Sequence, residues 1–176
     1  VHAASRVTAS FLGHGRPVAL EGRQLVIELP KDRKFEAEAL AEVMMPYPVR
    51  VHKVDGFAKV HEVTPPVPRR GMLLIDPSYE IAADYDEMAR FVALVARKWN
   101  VGIIALWYPI LSDGRHFGML GALGQAHPDA LRHEVRFPPA REGHRMVGSG
   151  MFVINPPWGL ADEAQRLSGI FASTPS

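Results

Sequence analysis

Gly71-Met72-Leu73-Leu74-Ile75-Asp76-Pro77-Ser78-Tyr79 is the stretch on which the reading of the fold turns. Five apolar or small residues in succession predict a strand buried on both faces, and Asp76 ends it at once. Pro77 fixes its own φ and biases Asp76 toward an extended backbone. In an open α/β sheet, ligands bind beyond the carboxyl ends of the strands. An Asp there accepts a hydrogen bond from an exocyclic amine, and Tyr79 offers a ring for stacking on a flat base. Asp-Pro is also ordinary turn chemistry, so the four residues alone leave a simple strand-to-helix turn open.

The surroundings have the same alternating character. Downstream, Tyr85 to Trp99 predicts a helix, with Met88, Phe91, Val92, Val95 and Trp99 on one face. Asp84 is the expected N-cap, with Glu87 at capping-box spacing. Val101 to Trp107 reads as another buried strand, His116 to Leu123 as a weaker helix, Leu131 to Phe137 and Met151 to Asn155 as the last strands, and Leu160 to Phe171 as a closing helix. Upstream, residues 4 to 12 read as a short helix, Leu25 to Leu29 as a strand, Lys34 to Met45 as a helix stopped by Pro46 and Pro48, and Val49 to Val54 as a strand. Asp55-Gly56 is a turn before a short helix from Phe57, and Pro65, Pro66 and Pro68 form a connector. About six strands with interleaved helices predict an α/β fold around a mostly parallel sheet.

Composition narrows the class. The 176 residues are 47% hydrophobic and 22% charged, which is globular composition of single-domain size. No apolar run approaches the roughly 18 to 20 residues of a membrane span, and no signal peptide is evident, so a cytoplasmic location without membrane contact is expected. There are no cysteines, which excludes disulfides and thiolate metal sites. Eight histidines form no H-E-x-x-H and no i, i+4 pair, so no metal is expected. Ser149, in Gly148-Ser149-Gly150, lacks the G-x-S-x-G of a hydrolase elbow. The net charge of +1 demands that any nucleic-acid contact come from a local patch. Arg132, Arg136, Arg141 and Arg145, with His133 and His144, form one such candidate. Glu134 and Glu142 lie within it, so a solvated strand and loop reads equally well.

Three further places carry chemistry. Asn155-Pro156-Pro157-Trp158 follows a strand as the first tetrad does, and spacing alone does not rank the two. It reads equally as a rigid turn with Trp158 packed over the sheet end. Glu28 stands at the end of a strand, where a carboxylate holds a ribose hydroxyl pair in doubly wound nucleotide-binding folds. Asp55, next to Gly56, is placed to accept from an adenine amine. The plain alternatives are a solvated charge for Glu28 and a helix N-cap for Asp55.

Four blocks together resemble a known family. Pro66 to Glu80, Ala105-Leu106-Trp107-Tyr108-Pro109-Ile110, Gly148 to Trp158 and Lys53-Val54-Asp55-Gly56-Phe57 are similar, in order and spacing, to the 23S rRNA (adenine-N6)-methyltransferases called RlmJ. The resemblance runs from about Ser5 to Trp158. It implies a class I S-adenosylmethionine-dependent methyltransferase (Rossmann-like) sheet, methyl transfer from S-adenosyl-L-methionine to adenine N6 in 23S ribosomal RNA, and a monomer. It implies a catalytic tetrad at Asp76, Pro77, Ser78 and Tyr79, and cofactor contacts at Ser5, Glu28, Asp55 and Gly56. It gives Asn155 to Trp158 a structural role. Trp107 and Tyr108, beyond the next strand, become candidate pocket walls.

The chain also departs from the family pattern. Ser78 replaces the second proline of the D-P-P-Y block, and Pro30-Lys31 replaces a His-Pro. The family's N-terminal basic segment, first strand and Gly-rich loop have no counterpart here. Residues 1–176 therefore read as one methyltransferase domain, the C-terminal part of a longer protein, with the first central strand missing and the sheet incomplete. Alone, such a chain is expected to be inactive. The alternative is a non-catalytic RNA-binding or degenerate relative.

Overall fold

In a computed structural model of the chain, the residues described are 8–10, 23–27, 42, 49–77, 79, 82–139, 141 and 143–173. The elements in order are β1 (Thr8–Ser10), β2 (Arg23–Ile27), β3 (Val49–Lys53), α1 (Gly56–Val63), β4 (Met72–Ile75), α2 (Ala83–Lys98), β5 (Ile103–Leu111), α3 (His116–Ala126), β6 (Leu131–Arg136), β7 (Met146–Ile154) and α4 (Leu160–Ser173). The helix expected over Lys34 to Met45 lies outside the described residues except Glu42, which is helical.

The strands form two sheets, β1-β2-β3 and β4-β5-β7-β6. β2 and β3 are parallel, as are β4 and β5, whereas β1–β2, β5–β7 and β6–β7 are antiparallel. Among the described residues two of the five pairings are parallel, so the sheet is partly, not mostly, parallel. β1 corrects the expected helix over residues 4 to 12: Thr8, Ala9 and Ser10 pair with Ile27, Val26 and Leu25. It lies beside β4 without joining its ladder, so the two sheets part between β1 and β4.

The core sits on one face of the four-stranded sheet. Leu73 and Ile75 of β4 and Ile104, Leu106, Tyr108 and Ile110 of β5 alternate onto that face and are fully buried. Against them α2 lays Met88, Phe91, Val92 and Val95, the expected stripe, followed by Trp99 just past its end. Side chains of this size contribute about 1.5–3 kcal/mol each when fully buried. Trp99 also donates from Nε1 to the Arg69 carbonyl at 2.7 Å, which ties the end of α2 to the segment entering β4. The expected capping by Asp84 does not occur. Ala82 holds the N-cap position without a side-chain bond, and Asp84 lies buried in the first turn, where the helix dipole favours a carboxylate.

Two strands run longer than their sequence suggests. β5 continues through Pro109 to Leu111, five residues past the level at which β4 ends. Proline is tolerated there because that side of β5 no longer faces β4. β7 starts at Met146 and passes through Gly148 and Gly150. A Cβ on Gly150 would overlap the Tyr108 ring, and one on Gly148 would stand 2.6 Å from the Val135 carbonyl oxygen. These glycines are strand residues because large neighbours occupy the space above them.

Candidate active site

β4 delivers Asp76 to the carboxyl end of a parallel strand, where it is exposed, and Pro77 behind it is buried. Tyr79 is 5% exposed and adopts φ 51°, the left-handed region. For an aromatic residue that conformation costs about 1–3 kcal/mol and persists only where surrounding contacts hold it. Here the Tyr79 hydroxyl donates to the Trp107 carbonyl at 2.9 Å and meets Met119 Sδ at 3.7 Å. Its ring lies against Tyr85, with centroids 4.5 Å apart and planes 34° apart. Burial pushes the Tyr79 phenol well above its ordinary value, with smaller contributions from Tyr85 and Asp76, so it remains a donor. Tyr79 thus braces the turn after β4. Ser78 lies outside the described residues.

Asp55 stands two residues past β3 and is exposed. It is the N-cap of α1: Oδ1 accepts from the Ala58 N–H at 2.8 Å, and Gly56, the first helical residue, is buried. A carboxylate has lone pairs enough to cap a helix and accept from a ligand as well. The helix starts one residue earlier than expected because Asp55 caps it. Phe57 then packs edge-on against Phe91 of α2, at 4.6 Å, and anchors α1 to the core. Glu28 directly follows β2, but it and Ser5 lie outside the described residues.

The second tetrad is built differently. Asn155, at φ 52°, turns its amide back into the protein, and Nδ2 donates to the carbonyls of Asn100 at 3.0 Å and Gly102 at 2.8 Å. It stitches the end of β7 to the turn before β5. It sits at the opposite end of the sheet from Asp76, because β7 is antiparallel to β5. Trp158 is fully exposed, so it does not pack over the sheet end as the alternative reading of this tetrad has it. A cavity of about 190 Å³ lies beside Asn155 and Pro156, bounded by residues 126–130.

Trp107 and Tyr108 belong to β5 itself and point to opposite faces. Trp107 is half-buried and donates from Nε1 to Ser149 Oγ at 2.7 Å. Tyr108 is wholly buried, with its hydroxyl on Glu134 Oε1 at 2.9 Å, so it is core and not pocket wall. Tyr85 escaped the sequence reading as a partner of Tyr79; its only signal was a place in the first turn of the helix after the tetrad. Burial pushes its phenol up to about 12.

His116 is 1% exposed, and neither ring nitrogen has a hydrogen-bond partner. Its ring lies 4.3 Å from Phe117 and 6.1 Å from Tyr108. Burial pushes its pKa below the usual 6.5, against an upward pull from Glu134. The folded state therefore takes up this proton later than the unfolded chain, so its contribution to stability is present above pH 6.5 and is lost as pH falls below it. The melting temperature should drop on acidification from about pH 7 to about pH 5, and drop less in His116→Phe. Equal slopes in the two proteins would remove His116 from that dependence.

Among the described residues, no group of three His, Cys, Asp or Glu is arranged to hold a metal, and no helix is long and apolar enough to cross a membrane.

The mixed α/β architecture with its partly parallel four-stranded sheet is a methyltransferase-like fold. The chain belongs to the family described as "Ribosomal RNA large subunit methyltransferase D, RlmJ", whose model matches residues 21–174. It is similar to Ribosomal RNA large subunit methyltransferase J of Escherichia coli, with 38% identity over 119 residues, 67% of this chain and 42% of that protein. The protein of the same name from Haemophilus influenzae is 35% identical over 116 residues, 64% of this chain and 41% of that protein. The crystal structure of a Legionella pneumophila protein matches with a TM-score of 0.65 at 27% identity, covering 71% of this chain and 46% of that one. The chain thus spans about two fifths of the length of the curated relatives it matches.

Proposed function

We propose that the protein transfers a methyl group from S-adenosyl-L-methionine to the N6 amine of an adenine in 23S ribosomal RNA, as a cytoplasmic monomer. The observation that carries this reading is the exposed Asp76 at the carboxyl end of β4, backed by buried Pro77 and the strained, tethered Tyr79. Family membership supports the class of reaction.

The adenine amine is a poor nucleophile because its lone pair is delocalised into the ring. Asp76 would accept one N–H and the Pro77 carbonyl the other, turning the lone pair out of conjugation. S-adenosyl-L-methionine, when bound, supplies a methyl group on positively charged sulfur. Most of the catalysis assigned to Asp76 and Pro77 is positioning. After transfer the amine carries an extra proton, and Asp76 is the group at hand to take it. Tyr79 is 5% exposed and packed on Tyr85, so here it braces the turn, and stacking on a flipped adenine would require its ring to be uncovered. Ser78 is small enough to leave these roles intact.

The residues fit the adenosine end of the cofactor. Asp55 is an exposed carboxylate beside a buried glycine, suited to an adenine amine, and Glu28 directly follows a parallel strand, suited to ribose hydroxyls. Ser5 and Gly56 complete the proposed contacts. Removing a hydrogen bond to a charged group costs about 1.5–3 kcal/mol. Asp55→Ala should accordingly weaken cofactor binding by roughly 10- to 150-fold in calorimetry. An unchanged affinity would take Asp55 out of the site, leaving it as the cap of α1 alone.

A further inference from the structure

We propose that Arg115, Arg132, Arg136 and Arg145 form a phosphate-binding rim for single-stranded RNA, which seats the nucleotides flanking the target base. The inference rests on the reading of the protein as an RNA methyltransferase and names the surface by which it would hold its substrate.

Two carboxylates organise the rim, and each is shared by two arginines. Asp113 pairs with Arg115 at 2.6 Å and with Arg145 at 3.5 Å. Glu134 pairs with Arg132 at 2.5 Å and with Arg136 at 3.9 Å, and also accepts from the Tyr108 hydroxyl. One carboxylate cannot neutralise two guanidinium groups, so each cluster keeps one positive charge while its arginines are held in place. A guanidinium has five donors, and most remain for phosphate oxygens. The closely paired Arg115 and Arg132 are the anchors. Arg136 and Arg145, at the long ends of their pairs, are 61% and 62% exposed and can exchange a carboxylate for a phosphate.

The clusters share one end of the sheet. Arg136 is in register with Gly148, and Gly148 with Ile110, so Arg136 stands level with the last residues of β5. The Ser112 N–H donates to the Arg145 carbonyl at 2.9 Å, which fixes Arg145 beside the Asp113 turn. His116 is buried beside Tyr108, whose hydroxyl bonds Glu134, and next in sequence to Arg115. β4 runs parallel to β5, so Asp76 leaves the sheet at this same end. Tyr85 joins the two regions: its ring rests on Tyr79, and its hydroxyl lies in the field of Arg115, Asp113 and Arg145.

The rest of the rim has the composition that single-stranded RNA selects. Residues 131–145 carry four arginines against two glutamates, an excess of two positive charges in a chain whose total is +1. Arg141 and His144 are exposed between the clusters, and the partly exposed Phe137 next to Arg136 offers a surface for a base. Because the residues already described hold the base and cofactor, the rim's contribution is to RNA binding and not to the chemical step.

The test is Arg136→Gln/Arg145→Gln in the protein as encoded, with an unmodified single-stranded fragment of ribosomal RNA as probe. Fluorescence anisotropy over a salt titration should show weaker binding, with the log–log salt slope shallower by about 0.7 for each phosphate no longer neutralised. The KM for RNA should rise, with kcat at saturating RNA and cofactor affinity unchanged. Arg136→Lys/Arg145→Lys should retain the wild-type slope, since charge is the active property. Wild-type affinity and slope in the glutamine variant, while wild type methylates RNA, would overturn the rim and leave the reaction standing. A wild-type protein that neither binds nor methylates the fragment would overturn both.

Discussion

Asp76→Ala should slow methyl transfer to adenine by roughly 100- to 1000-fold, the scale on which removing one preorganised hydrogen-bonding group acts. Asp76 is exposed and follows the last residue of β4, so its loss leaves Leu73, Ile75 and the tether from Tyr79 to Trp107 in place. Cofactor affinity should stay at the wild-type value, and single-turnover transfer of labelled methyl, measured on protein that remains folded, should report the defect. Asn155→Ala should behave in the opposite way. Losing its two bonds to the carbonyls of Asn100 and Gly102 should cost stability, about 1–3 kcal/mol, with little change in the turnover of protein that remains folded. A reversed pattern would move the chemistry to the second tetrad, at the other end of the sheet.

The second large effect is structural. Trp99→Ala should destabilise the fold by about 3–5 kcal/mol, the usual cost of emptying a wholly buried aromatic site. The indole is fully enclosed beneath Gly102, and its Nε1 is the donor for the Arg69 carbonyl. Against a typical total of about 5–15 kcal/mol, that loss should appear as a large shift of the urea midpoint. A loss under about 1 kcal/mol would show that α2 is not held to the sheet through this residue.

What the sequence revealed depended on whether local pattern and tertiary context agreed. β4 and α2 were legible because a buried apolar run and a 3.6-residue stripe need no knowledge of the neighbours. The start of β7 was not. Gly148 and Gly150 look like turn residues until the Tyr108 ring and the Val135 carbonyl are placed above them. Pro109 looks like a strand terminator until β4 is seen to end before reaching it. Residues 8–10 carry helix-compatible composition, and pairing with β2 overrides it.

The candidate site divides in the same way. Asp76 was legible because a carboxylate ending a buried strand has few structural reasons to be there. The resemblance of four sequence blocks supplied its proposed catalytic role. The left-handed turn at Tyr79, its tether to Trp107 and its packing on Tyr85 depend on residues 6 to 28 positions away, which no local pattern encodes. Asp55 reads as a helix cap and as a cofactor ligand from the same two features, a carboxylate and a following glycine. The structure adds the capping bond and leaves the second role to calorimetry.

The central claim is that Asp76 and its turn direct a methyl group onto adenine N6 in ribosomal RNA. The measurement that tests it most directly is to incubate the protein as encoded with methyl-labelled S-adenosyl-L-methionine and under-methylated 23S ribosomal RNA, digest the RNA to nucleosides and locate the label. The account predicts label in N6-methyladenosine from the wild-type protein and background counts from Asp76→Ala. Label on another nucleoside, or equal label from the two proteins, would contradict it.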